Sequence, residues 1–220
     1  MKKLVVAIDG PAGAGKSTVA QLAAQQLHYT YIDTGAMYRA VTLAYLASAQ
    51  KFSEEYVGAL ANKVVISFKA DVSCNRVYLN GQEVTQAIRS IEVTNAVSQV
   101  AAVPAVRTAM VAAQRQMGEL GGVVMDGRDI GTVVFPHAEY KIFLTASADE
   151  RARRRFKEFT DSGKDISFEQ LKQDIERRDK IDSEREVAPL CCATDAYYLD
   201  SSSLSIPQVV AKIIDICQVK

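Results

Sequence analysis

The sequence predicts an α/β fold, an open parallel sheet of five strands flanked by helices, with one small antiparallel insert. Three observations carry that expectation. Short apolar runs alternate with longer helical segments along most of the chain. The first run, Leu4-Val5-Val6-Ala7-Ile8, leads directly into the Gly-rich segment Gly10-Pro11-Ala12-Gly13-Ala14-Gly15-Lys16-Ser17-Thr18. Residues 64–84 alone break the rhythm with the two-residue alternation of exposed strands.

The five core strands are expected at Leu4 to Ile8, Tyr29 to Ile32, Val123 to Met125, Lys141 to Leu144 and Tyr197 to Leu199. Each leads into a Gly, Asp or Ser cluster, and ligand loops in open α/β sheets lie at the carboxyl ends of the strands. Helices are expected at Lys16 to Leu27, Ala36 to Ala49, Ser53 to Ala61, Ile91 to Ala101, Pro104 to Gly118, Ala148 to Phe159, Phe168 to Ser183 and Ile206 to Val219. Pro104 and Pro207 sit at helix starts, where a missing N–H does no harm. In the insert, Val64 to Phe68 and Arg76 to Leu79 flank a turn at Cys74-Asn75, and Asn80-Gly81 supplies a second hairpin signal. No linker separates independently folding units, so a single domain is expected.

The segment Gly10 to Thr18 satisfies the pattern G-x-x-x-x-G-K-[ST]. At average residue frequencies, its four fixed positions recur by chance in roughly one chain in a hundred of this length, before a preceding strand is required. A strand that turns through glycines into a helix aims several backbone N–H groups at one spot, where the helix dipole also favours negative charge. A polyphosphate fits along the whole segment. Lys16 reaches the outer phosphates, and the Ser17 hydroxyl is placed to ligate Mg2+. Asp126 ends the run Val123-Val124-Met125, the usual place for an acid on the metal side of such a loop.

Composition excludes several alternatives. The 220 residues carry 26 Lys+Arg and 26 Asp+Glu, so no global field draws the chain to nucleic acid or to an anionic membrane. No run of about 18 apolar residues appears, and Met1-Lys2-Lys3 leads straight into a strand, so a cytoplasmic location is expected. Cys74, Cys191, Cys192 and Cys217 lack C-x-x-C spacing, and they are expected to be small buried thiols rather than metal ligands. The basic run Arg151-Ala152-Arg153-Arg154-Arg155 has no aromatic interleaving for nucleic-acid stacking, which counts against a nucleic-acid surface. Spacing alone does not say which of its arginines face a cleft. The guanine-reading motif N-K-x-D of GTP-driven switches is absent.

At Asp33-Thr34-Gly35-Ala36-Met37-Tyr38-Arg39, Ser98-Gln99-Val100-Ala101-Ala102, Asp126 to Pro136 and Arg185-Glu186-Val187-Ala188-Pro189-Leu190, the chain closely resembles the bacterial cytidylate kinases. The resemblance runs nearly end to end and includes the insert. It implies a phosphate-loop NTPase-type core over 1–34, 99–147 and 167–220, a monophosphate-binding lobe over about 35–98 and a lid over about 148–166. The implied activity is transfer of the γ-phosphoryl group of ATP to CMP or dCMP by a monomer, with Mg2+.

By the same resemblance, Arg39, Arg128 and Arg185 hold the acceptor phosphate, where a planar fork gives bidentate geometry that lysine lacks. Thr34 and Tyr38 line the acceptor pocket, and for Tyr38 a plain core role is equally open. Arg178 and Asp182, four apart on a helix, read on their own as an i, i+4 ion pair; the resemblance places them at the acceptor ribose. Ser98, Arg107 and Asp129 are implied as the residues that read the base. Lys16, Arg128, Arg153 and Arg154 are the expected catalytic cations. The acceptor phosphate is already an anionic nucleophile, so no general base is expected.

Overall fold

The computed structural model describes residues 4–70, 75–161, 163 and 166–218. The turn expected at Cys74 and the helix end expected at Val219 lie outside them. The main sheet consists of β1 (Val5–Asp9), β2 (Thr30–Asp33), β6 (Val123–Gly127), β7 (Tyr140–Thr145) and β8 (Tyr197–Asp200). All pairings are parallel, in the order β2-β6-β1-β7-β8. β6 thus lies between β1 and β2, so the loops that follow β1 and β6 open side by side.

Both faces of the sheet are covered, which is why its central strands are apolar at successive positions rather than alternately. Val6 and Ile8 point to one side, where α1 (Lys16–Leu27) and α8 (Ile206–Gln218) contribute Val19, Ala23, Val210 and Ile213. Val5 and Ala7 point to the other. There α2 (Thr34–Ala47), α3 (Glu54–Ala61), α4 (Ile91–Ala102) and α5 (Pro104–Gly118) bring Met37, Val57, Val97 and Met110. Burial of each of these larger side chains stabilises the fold by about 1.5–3 kcal/mol. Two further helices, α6 (Ala148–Asp161) and α7 (Phe168–Glu184), pack against each other. The insert is a second, antiparallel sheet of β3 (Ile66–Ala70), β4 (Asn75–Leu79) and β5 (Gln82–Glu83).

Helix starts follow local capping chemistry. Ser53, Ser90 and Ser167 accept from the amides of Tyr56, Val93 and Gln170, and Pro104 opens α5. α2 begins at Thr34, two residues before the expected Ala36, because the Asp33 carboxylate accepts from the Ala36 amide at 2.9 Å. Two short elements were not expected from the sequence: a 3-10 turn at Ala87–Arg89, and a π-helical turn at Ile130–Val134 after β6. No single helix among the described residues is long and apolar enough to cross a membrane.

Candidate active site

The phosphate loop is built by backbone. Gly10 has φ +151°, and a Cβ there would lie 1.9 Å from the Leu144 carbonyl oxygen, so β7 leaves room only for glycine. Gly15 takes the left-handed cap position of α1 at φ 86°, and no side chain caps that helix. The amides of its first turn are therefore available to an anion. Lys16 is buried and its ammonium donates to the Pro11 carbonyl at 2.8 Å. Burial holds its pKa well below the usual lysine range, Arg128 pushes the same way, and Asp126 and Asp9 partly offset them.

Asp126 stands where the metal side was expected. Its carboxylate accepts from the Ser17 hydroxyl at 3.0 Å and from the Tyr31 phenol at 2.8 Å. Burial and the neighbouring Asp33 raise its pKa, against the charge of Lys16 and those two hydrogen bonds. A buried carboxylate beside a hydroxyl is a pair of hard oxygen donors, so Ser17 and Asp126 fit Mg2+. Tyr31, expected only as a strand residue, donates to this carboxylate and fixes its orientation. Thr34 donates to the Asp126 carbonyl at 2.6 Å, so its proton is engaged inside the fold and only its lone pairs remain for a ligand.

Helix α6 meets the loop through Arg151 and Arg154. Arg151 donates to the Ala12 carbonyl at 2.9 Å and to both oxygens of Asp179, which ties the loop to α7. Arg154 donates to the carbonyls of Ser201 (2.6 Å) and Ala14 (3.4 Å). It also lines a cavity of about 270 Å³ with Gly15, Thr18, Ser201, Leu204 and Ile206, beside the loop where a nucleotide donor's base would extend. Arg153 is not brought to the loop: its side chain is 67% exposed and pairs with Glu150. A larger cavity of about 360 Å³, beside the Lys141–Asp195 ion pair, lies at the amino ends of β7 and β8, away from this chemistry.

The second half of the site is built by side chains. Arg39 donates to the Thr94 hydroxyl at 2.9 Å and the Ile88 carbonyl at 3.4 Å, and Arg128 donates to Asp182 at 2.8 Å. Arg178 is the cation grouped with them. Burial lowers its pKa to about 10, with the like charges of Arg128, Arg39 and Arg155 acting against the nearby Asp182. Its Nε is buried without a partner. A buried guanidinium depressed by neighbouring like charges, with an idle donor, is suited to take an anion. The i, i+4 pair expected between Arg178 and Asp182 is replaced by Arg128–Asp182. Asp182 stays below the usual carboxylate range despite its burial, because Arg128 bonds to it and Arg178 and Arg185 stand near.

Arg185 belongs to a different group than expected. Its guanidinium lies 3.5 Å from Asp129, whose other oxygen accepts from Arg107, and Arg107 lies 5.5 Å above the Tyr38 ring. All four residues are wholly or largely buried. Burial raises the Tyr38 phenol to about 12, and its hydroxyl has no partner. The Arg107 Nε likewise has no hydrogen-bond partner, and Arg185 Nη2 has none beyond its 3.5 Å ion pair with Asp129, so polar capacity is in place for a ligand that both donates and accepts. Ser98 is half-buried on α4, one turn before Ala101, whose carbonyl accepts from Arg107 at 3.4 Å. Cys191 and Cys192 correct the expectation of buried thiols: both are exposed, because residues 185–196 form the loop between α7 and β8.

A parallel sheet in this order, a phosphate loop after its first strand and an arginine-lined anion site beside it define a phosphate-loop kinase. Comparison with known proteins narrows the class. The cytidylate kinase family model matches residues 6–219. The cytidylate kinase of Enterococcus faecalis is 53% identical over 223 residues, covering 100% of this chain and 98% of its own. That of Anoxybacillus flavithermus is 55% identical over 218 residues (99% and 97%), and that of Bacillus subtilis 51% over 220 residues (100% and 98%). Among solved structures, an uncharacterized protein from Eubacterium ventriosum shares the fold along both full chains, with a TM-score of 0.54 at 10% identity. The chain belongs to the cytidylate kinase family.

Proposed function

We propose that this protein transfers the γ-phosphoryl group of ATP to CMP or dCMP, giving ADP and CDP or dCDP. A phosphate oxygen of the acceptor attacks the γ-phosphorus, and the bond from that phosphorus to the β,γ-bridging oxygen breaks. The proton balance needs no base on the enzyme, since the attacking oxygen is already anionic. Catalysis then consists of holding two phosphates in line and screening their charge. Gly10 to Thr18 hold the ATP phosphates, and Lys16, Arg128 and Arg154 are the cations nearest the transfer. Ser17 and Asp126 would hold Mg2+, which when bound withdraws charge from the phosphoryl oxygens.

Arg39, Arg128 and Arg178 take the acceptor phosphate, and Asp182 accepts from the ribose hydroxyls. The observation that carries the choice of base is the Asp129 carboxylate held between Arg107 and Arg185. Cytosine presents an amino donor beside two acceptors, N3 and O2. Asp129 accepts from the amino group while Arg107 and Ser98 donate to the others. Uracil reverses two of these positions and leaves buried groups unpaired, which can discriminate by ~10^4.

The protein acts as a cytoplasmic monomer on small-molecule substrates, with no nucleic-acid or membrane partner. A coupled assay with ATP and a panel of monophosphates tests the reading. CMP and dCMP should be good acceptors, UMP poor and AMP negligible. Equal rates on CMP and UMP, or none on CMP, would overturn it.

A further inference from the structure

Asp9 has a part in this site that its place in the sequence does not announce. It is the last residue of β1, directly before the phosphate loop, and its side chain is buried. Instead of facing that loop, its two carboxylate oxygens accept from the amides of Ile130 at 2.8 Å and Gly131 at 2.7 Å. These are the first two residues of the π-helical turn after β6. The strand register makes the reach possible, because Asp9 lies level with Gly127 on the adjacent strand. Gly131 leaves little room for a side chain, since an added Cβ would lie 3.1 Å from the Lys141 Cδ and 3.4 Å from the Asp9 carboxylate.

Asp129 occupies the cap position of that turn, and an aspartate there ordinarily turns back to accept from the first free amides. Here it makes no such bond. Its two oxygens go to Arg107 and Arg185 instead. We infer that Asp9 caps this turn in place of Asp129, and that by doing so it frees the Asp129 carboxylate to read the acceptor base. Asp9 is on this account a positioning residue for acceptor specificity. It never touches the substrate, and the inference rests on the proposed base-reading role of Asp129.

Without the Asp9 carboxylate, two buried amides lack an acceptor, and Asp129 holds the cap position from which one is ordinarily supplied. Turning back to cap, it would leave Arg107 and the base. Burial raises the Asp9 pKa to about 6, against the two amide bonds and Lys16 and with help from the charge of Asp129. A buried carboxylate retained in spite of that desolvation is consistent with a task beyond packing.

The test is Asp9→Asn in the full-length protein, which keeps one acceptor and turns an NH2 toward the other amide. The ratio of kcat/KM for CMP to that for UMP should fall by about tenfold, the size of a lost cap. The KM for ATP should stay within about twofold, since such a shift is below the effect of one lost contact. A role confined to stability would lower Tm and leave the ratio unchanged, and an unchanged ratio overturns the inference.

If Asp9→Asn does not fold, Gly131→Ala decides. Its Cβ would press on Lys141 and stand 3.4 Å from the Asp9 carboxylate, so it should move the ratio in the same direction. An unchanged ratio in that variant is equally fatal. Asp129→Ala separates this inference from the reading beneath it. A ratio altered by Asp129→Ala and untouched by Asp9→Asn sinks the cap and spares base reading. Should neither variant move the ratio, base reading falls, and with it the cap.

Discussion

The two halves of the site are made of different material. The donor half comes from one contiguous segment, Gly10 to Thr18, and its ligating groups are mostly backbone amides that exist whatever the side chains are. The acceptor half draws Arg39 from α2, Arg107 from α5, Asp129 from the loop after β6, and Arg178 and Asp182 from α7. Every one of these contributes a side chain, and all but Arg178 are held by another charged or polar side chain or a carbonyl. A binding surface made of backbone needs glycine at fixed spacing and is tolerant elsewhere. One made of side chains needs a network of partners, and its specificity resides in them.

If that contrast is right, the largest single effect belongs to the one donor-half side chain aimed at the transferring group. Lys16→Ala should cut kcat by ~10^3-fold or more, about 4 kcal/mol of transition-state stabilisation, with circular dichroism and Tm close to those of the parent. Because burial and Arg128 already depress the lysine, removing it relieves the folded state, and the fold should not suffer. Near-normal turnover in the folded variant would break the assignment of the loop.

Next in size is the centre of the acceptor half. Asp129→Ala should lower kcat/KM for CMP by ~10^2-fold or more while the weak rate on UMP changes far less, because the carboxylate is a poor match for uracil from the start. It also leaves Arg107, with an exposure of 2%, without its counter-ion, so a loss of stability is expected in parallel. The base-selective part of the effect is the informative one. Equal losses on both bases would make Asp129 a scaffold and turn the acceptor half into a simple anion trap.

The donor half was legible in the sequence because its physics is local. A motif, a preceding apolar run and a following helix are all adjacent in the chain, and Gly15 is needed at its own position as the left-handed cap of α1, although the demand for Gly10 comes from the distant Leu144 carbonyl. The acceptor half was legible residue by residue only through resemblance, and its grouping was not. Arg185 was expected with Arg39 and Arg128, whereas Arg178 lies with them, because one turn of α7 separates Arg178 from the Asp182 that Arg128 holds. Tyr31 and Asp9 were missed for the same reason: their partners, Asp126 and the Ile130 and Gly131 amides, are 95 and 121 or more residues away. The only local signal for Asp9 was a charged residue closing a strand otherwise free of charge. The π-helical turn at Ile130–Val134 has no signature of its own, since its amides are satisfied from another strand.

Asp9 closes the strand that leads into the donor half and holds the turn beside Asp129, and its titration sharpens the boundary between the two. Its pKa rises from 3.8 to about 6 in the folded protein, chiefly by burial. A carboxyl that binds its proton more tightly when folded contributes stability that is complete below about pH 4 and is lost as pH rises through 6. Against Asp9→Asn, which cannot titrate, the parent should therefore lose roughly 2 to 3 kcal/mol of relative unfolding free energy between pH 4 and 7. Urea denaturation of both proteins across that range checks it. A flat difference would mean that the carboxylate is as well solvated in the fold as outside it.

The smallest expected effects distinguish two neighbours on α6. Arg154 bonds to the Ser201 and Ala14 carbonyls at the mouth of the donor cavity, whereas Arg153 points to solvent against Glu150. Successive helix positions are turned by about 100°, so adjacent arginines cannot both face the loop. Arg154→Ala should raise the KM for ATP by about tenfold, as expected for one lost charge-assisted contact. Arg153→Ala removes only an exposed i, i+3 pair, and every kinetic parameter should stay within about twofold. The measurement is steady-state kinetics of both variants at saturating CMP with ATP varied. A tenfold fall in kcat for Arg153→Ala would mean that α6 rotates as the substrates close together and presents a different arginine to the transferring group. In that case the donor half, like the acceptor half, would depend on side chains brought in from a distance, and the contrast between them would hold only for the loop itself.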